Sequence, residues 1–152
     1  MRHPFRALAL ACALTLTPAC AALHLSAPNP ISAAQTNDQR AYAVIESYGA
    51  LVETATIIVR NPAVPIEAKR AIGRAEAAAT PSVQTLEIAF AAYLRARADY
   101  EAAPPSDDGA VTRAVTALNA AARALGQAIE RAQAPVAELQ TLISAQRTGG
   151  AR

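Results

Sequence analysis

From Val111 to Ile143, ten apolar residues recur at alternating intervals of four and three: Val111, Val115, Leu118, Ala122, Leu125, Ile129, Ala132, Val136, Leu139 and Ile143. This is an a/d heptad seam held over more than four heptads. No strand or turn keeps that period, so the seam commits the chain to long helices packed along their lengths. Pro135 lies inside the seam. The phase is unchanged across it, which predicts one helix kinked at the proline rather than two unrelated helices.

The segments before the seam also read as helical. Apolar residues make up 53% of the chain and aromatics only 4%, so alanine, the best helix former, carries the apolar fraction. No run of alternating β-branched residues stands between turn signals. A first helix is predicted from Asp38 to Arg60. Val44, Ile45, Tyr48, Leu51, Val52, Ala55, Ile58 and Val59 form its stripe, with Glu46, Glu53 and Arg60 on the opposite side. Asn61-Pro62 ends it. A second helix, Pro65 to Ala79, has a thin apolar side of Ile66, Ile72 and alanines. Thr80-Pro81 reads as a hydroxyl cap followed by a first-turn proline. A third helix is therefore placed from there to Ala102, with Val83, Leu86, Phe90, Tyr93 and Leu94 as its stripe. "APPSDDG", Ala103 to Gly109, is a turn, in which Ser106 can cap the last helix and Asp107 and Asp108 complement its positive end.

The expected fold is all-α: a three- or four-helix antiparallel bundle over residues 38–146, with a long, Pro-kinked C-terminal helix and a disordered tail at 147–152. At ~1.5 Å per residue the last helix would span about 60 Å, against about 33 Å for the first and third. A helix that outruns its neighbours leaves part of its seam uncovered. Gln133 to Gln146, with Val136, Leu139, Leu142 and Ile143, is accordingly the candidate surface for a protein partner or for self-association. The plainer reading of the same stripe is core packing.

The N-terminal segment speaks to location. Met1 to Arg6 carries two arginines, Ala7 to Leu16 is uncharged, and Thr17, Pro18, Ala19 and Cys20 follow. This is the layout of a secretory signal peptide: a basic start, an apolar stretch and a small-residue cleavage zone. The segment "LTPAC", ending at Cys20, resembles the lipobox of bacterial lipoproteins. Ala19 fits that pattern and Thr17 departs from it, since an aliphatic residue is usual there. The resemblance covers about the first twenty residues and implies that residues 1–19 are a signal peptide and that Cys20 is lipidated. Two other readings stay open: plain cleavage at the small-x-small Ala19-Cys20-Ala21, and an uncleaved anchor from Ala7 to Leu25, weakened by Pro18 and His24. A thiol exported to an oxidising compartment needs a partner, and acylation removes that need. Residues 20–37, rich in Ser, Pro, Asn and Gln, read as a flexible tether. Ala21 and Ala22 stand where some lipoproteins carry an inner-membrane retention aspartate, which points to the outer membrane, on the periplasmic side of the envelope.

Little in the sequence suggests chemistry. The two histidines, His3 and His24, and the two cysteines, Cys12 and Cys20, all precede the helical region. Ser-His and Cys-His nucleophile systems therefore have no place in the domain, and zinc, haem or copper sites lack ligands. Glu46 and Glu53 share a helix face but lack the Glu-x-x-His partners of a di-iron bundle. Asp99, Glu101, Asp107 and Asp108 suit helix caps better than a calcium loop. The formal charge is +2, and without Arg2 and Arg6 the 12 remaining basic residues balance the 12 acidic ones. No basic patch points to nucleic acid. Tyr48, Phe90 and Tyr93 could line a small apolar cavity or simply fill a core. No catalytic residue, cofactor or metal is expected. The sequence is read as a non-enzymatic cell-envelope lipoprotein, an adaptor, structural or accessory subunit acting through helix–helix contacts and held to the membrane by its anchor. The alternative is a small-molecule or lipid-binding helical module in the periplasm.

Overall fold

The computed structural model describes residues 36–149, which form three packed helices; among the described residues there is no strand. The helices are α1 (Asn37–Arg60), α2 (Ile66–Ala102) and α3 (Asp108–Gly149). They contain 24, 37 and 42 residues. At ~1.5 Å per residue they measure about 36, 56 and 63 Å.

α1 opens on a capping box. The Thr36 hydroxyl accepts the Gln39 N–H at 3.3 Å, and the Gln39 side chain accepts the Thr36 N–H at 3.3 Å. Two orphan donors of the first turn are thus satisfied. Asn61 ends the helix, and its side chain takes the Ala63 N–H at 2.9 Å, which turns the chain toward Pro65. α3 opens on Asp107 rather than Ser106: the Asp107 carboxylate accepts the Ala110 N–H at 2.9 Å.

The largest departure from the sequence reading lies at Thr80-Pro81. The second and third predicted helices are one helix, α2, with Pro81 in its interior. The Thr80 hydroxyl does not cap a new start; it donates back to the Glu76 carbonyl at 2.8 Å. The buried side explains why the helix continues. Ile72, Ala75, Ala79, Val83 and Leu86 keep a 3.6-residue period straight through the proline, while Pro81 itself is exposed. One missing hydrogen bond, of order 1 kcal/mol net, is outweighed by keeping that stripe aligned.

This joining covers the seam. α2 is nearly as long as α3, so the C-terminal part of α3 has a partner along its length. The core has two clusters. The larger holds Ala41 and Val44 of α1, Ala79, Val83 and Leu86 of α2, and Leu125, Ala128, Ile129, Ala132 and Val136 of α3. The smaller holds Ala55, Ile72, Ala75, Leu139 and Ile143. α1 and α3 pass through them in the same order and α2 in the reverse order. Seven of the sixteen buried apolar residues are alanine, so the helices approach closely and each contact buries little area. α3 runs unbroken through Pro135 to Gly149, which makes residues 147–149 of the expected tail helical.

Candidate functional site

The seam residues proposed from sequence for partner binding are used inside the chain. Val136, Leu139 and Ile143 are 0–2% exposed, within the two clusters. Leu142 is half-buried against the smaller cluster. The expected uncovered surface does not form there, because it was inferred from a 33 Å neighbour and α2 is longer. Cys20, the expected signal peptide and most of the expected tether lie outside the described residues.

Tyr48, Phe90 and Tyr93 all pack, partly buried, against the larger cluster. The Tyr48 hydroxyl lies 2.6 Å from the Thr80 hydroxyl. Thr80 spends its proton on the Glu76 carbonyl, so Tyr48 is the donor in that pair. The contact ties α1 to α2 one residue before the proline.

A second polar group joins the same two helices at the N-terminal end of α1. Arg97 sits 3.7 Å from Asp38 and 2.9 Å from Glu101. Asp38 also accepts a short hydrogen bond from the Thr36 hydroxyl. That bond does most to hold the Asp38 carboxyl below its ordinary value of 3.8; desolvation opposes it, and the backbone N–H groups of Asp38 and Gln39 and the Arg97 charge reinforce it. Arg97 is in turn held above its ordinary value, first by its hydrogen bond to Glu101. These groups are solvated, and they position the start of α1 rather than activate a nucleophile.

Among the described residues no group of three or more His, Cys, Asp or Glu side chains could hold a metal ion. Glu46 and Glu53 are exposed. α1 has the length and apolar composition of a membrane span, a property it shares with core helices, and it contributes Ala41, Val44 and Ala55 to the core. What the structure does leave open is apolar surface. Ile57, Val59 and Ile66 are exposed near the α1–α2 turn, and Leu94, Tyr100 and Val115 near the α2–α3 turn. Val59, Ile66, Leu94 and Val115 fall on stripes that the sequence reading assigned to core; the exposure of Leu94 and Val115 depends on where α1 starts, which no pattern within α2 or α3 records.

Comparison with known protein families, with characterised proteins and with solved structures finds no match to this chain. Its function rests on its own residues.

Proposed function

We propose that this chain is an exported, lipid-anchored envelope protein whose helical domain acts as an adaptor or accessory subunit on the periplasmic side of the outer membrane. The observation that carries the reading is the N-terminal order of charges and small residues: Arg2 and Arg6, an uncharged stretch, then Thr17-Pro18-Ala19-Cys20. The domain behind it is three helices with a closed alanine-rich core and a balanced surface. We take it as an antiparallel up-down-up bundle, with α3 bent at Pro135. Such a body suits contact through helix faces left over after the bundle has closed. The lack of His and Cys after residue 24 supports a non-enzymatic role.

The test is the intact mass of the mature protein from its native envelope, with its N-terminal peptide sequenced. A chain beginning at Cys20 and carrying acyl groups supports the reading. An unmodified chain beginning near Ala22 overturns the anchor and makes a freely diffusing ligand-binding module the better account.

A further inference from the structure

α1 starts well short of the end of the hairpin it packs on. Tyr48 stands opposite Thr80, and α2 passes the core clusters in the reverse order to α1. Eleven residues back from Tyr48 is Asn37; eleven residues on from Thr80 is Ala91. The backbone from Ala91 to Ala102, about 17 Å of α2, therefore projects beyond α1 together with the facing part of α3, and the long Arg97 side chain reaches back to Asp38.

The groove that α1 fills continues along this projection. Leu94 lies three turns beyond Val83, a member of the α1-containing cluster, and so on the same face. Val115 lies three turns before Gly126, whose missing Cβ would stand 4.0 Å from the Asn37 side chain of α1. Leu118 lies three turns before the buried Ile129. Leu94 is 44% exposed and Val115 38%, while Phe90, Val111 and Leu118 between them are half-buried. Beyond Asn37 the groove loses its third helix; Leu94, Val111 and Val115 stay apolar along it, and Arg97, three turns beyond the buried Leu86, reaches back to Asp38 at its edge.

The chain enters at that end. Thr36, the N-cap of α1, is where residues 1–35 join the bundle. The preceding segment, Leu25 to Gln35, reads "LSAPNPISAAQ": uncharged, small, with Ile31 as its central large apolar side chain. Pro28 and Pro30 bring no N–H to the part of the groove between Phe90 and Leu94, where the wall is helix interior and its carbonyls are already bonded within α2. Ile31 is six residues before Asn37. That reaches between ~9 Å, at the helical rise, and ~20 Å, fully extended, which spans the projection.

We propose that the groove of Phe90, Leu94, Val111, Val115 and Leu118 is the docking site of this chain's own segment Leu25–Gln35, with Ile31 as its anchor. The segment completes the third layer that α1 leaves off. Residues 25–35 follow Cys20, so the docking holds whether or not Cys20 is acylated. It shortens the free span between any anchor and the domain.

The experiment places the photoreactive residue p-benzoylphenylalanine at Val115, and separately at Leu94, in the full chain. Ile88, exposed on the outer face of α2, is the control position. Expected are intrachain adducts on residues 25–35 from both positions and none from Ile88. Ile31→Asp should cut the yield about tenfold or more, since it removes one buried isoleucine from the groove. Adducts between chains would assign the groove to a second copy and overturn the proposal. So would adducts confined to other segments, or a yield unmoved by Ile31→Asp.

Discussion

Replacing Leu139 decides whether the C-terminal seam is core or interface. Leu139 is fully buried, in the cluster it shares with Ala55, Ile72, Ala75 and Ile143. Leu139→Ala removes its transfer energy and leaves a void between α2 and α3. The neighbours include two alanines, which cannot swing in to fill it. The cost should thus fall in the middle of the usual range, about 3–4 kcal/mol. For a domain of the size described, residues 36–149, the entropy of unfolding is about 0.24 kcal/mol/K, so Tm drops by about 12–17 °C. Leu139→Asp goes further, because no polar or charged side chain is buried among the described residues and a lone carboxylate would be buried there without a buried partner. With a total stability of about 5–15 kcal/mol, the aspartate variant should be largely unfolded at 37 °C. Thermal melts by circular dichroism, paired with sedimentation at several protein concentrations, give both quantities. A Leu139→Asp protein that melts like the wild type but changes its oligomeric state would refute the assignment and return Leu139 to a partner surface.

Tyr48→Phe removes the donor to Thr80 and should cost about 1 kcal/mol in urea denaturation; the same loss in a Thr80→Ala background would show that the pair is not coupled. Pro81→Ala restores an N–H to the middle of α2 and should raise the urea midpoint, by about 1–3 kcal/mol in stability; a lowered midpoint would mean that a proline at this position is needed to seat α1. The lowered pKa of Asp38 stabilises the folded state above the ordinary carboxylate value of 3.8, and this contribution is lost as the pH falls through the lower folded value. NMR titration of Thr36→Ala should move Asp38 up toward 3.8, with a loss of about 0.5–2 kcal/mol from the missing cap; an unmoved Asp38 would transfer the effect to Arg97.

Periodicity carried most of the fold. The heptads from Leu125 to Ile143 are buried as their spacing implies, and α1 ends at Arg60 before Asn61-Pro62. Local signals failed where tertiary packing opposed them. Thr80-Pro81 has the chemistry of a helix start, yet the stripe running from Ile72 to Leu86 holds the helix together across it. That single junction changed the length of α2 and with it the expected fate of Val136, Leu139 and Ile143. The box at Thr36 and Gln39 was readable as T-x-x-Q and was passed over in favour of Asp38. The open groove at Leu94 and Val115 was not readable, because it depends on the axial offset between helices, and offset is a property of pairs rather than of stripes.

The alanine-lined contacts bear on how firmly that offset is fixed. Ala41, Ala43 and Ala55 make up three of the four buried residues of α1 and raise only low ridges, so α1 presents shallow corrugation to sliding along its axis. Large interlocking side chains would make a one-turn slip prohibitive; methyl groups make it comparatively cheap. The Tyr48–Thr80 hydrogen bond and the Asp38–Arg97 pair then act as detents, small polar catches that select one stop on a smooth track. Moving α1 by one turn would carry the tyrosine hydroxyl about 5 Å past its threonine and break the catch at a cost of about 1 kcal/mol beyond the packing. In a bundle of this kind, register is specified by a few polar contacts, and substitutions there shift where the helices stop before they change whether the helices form.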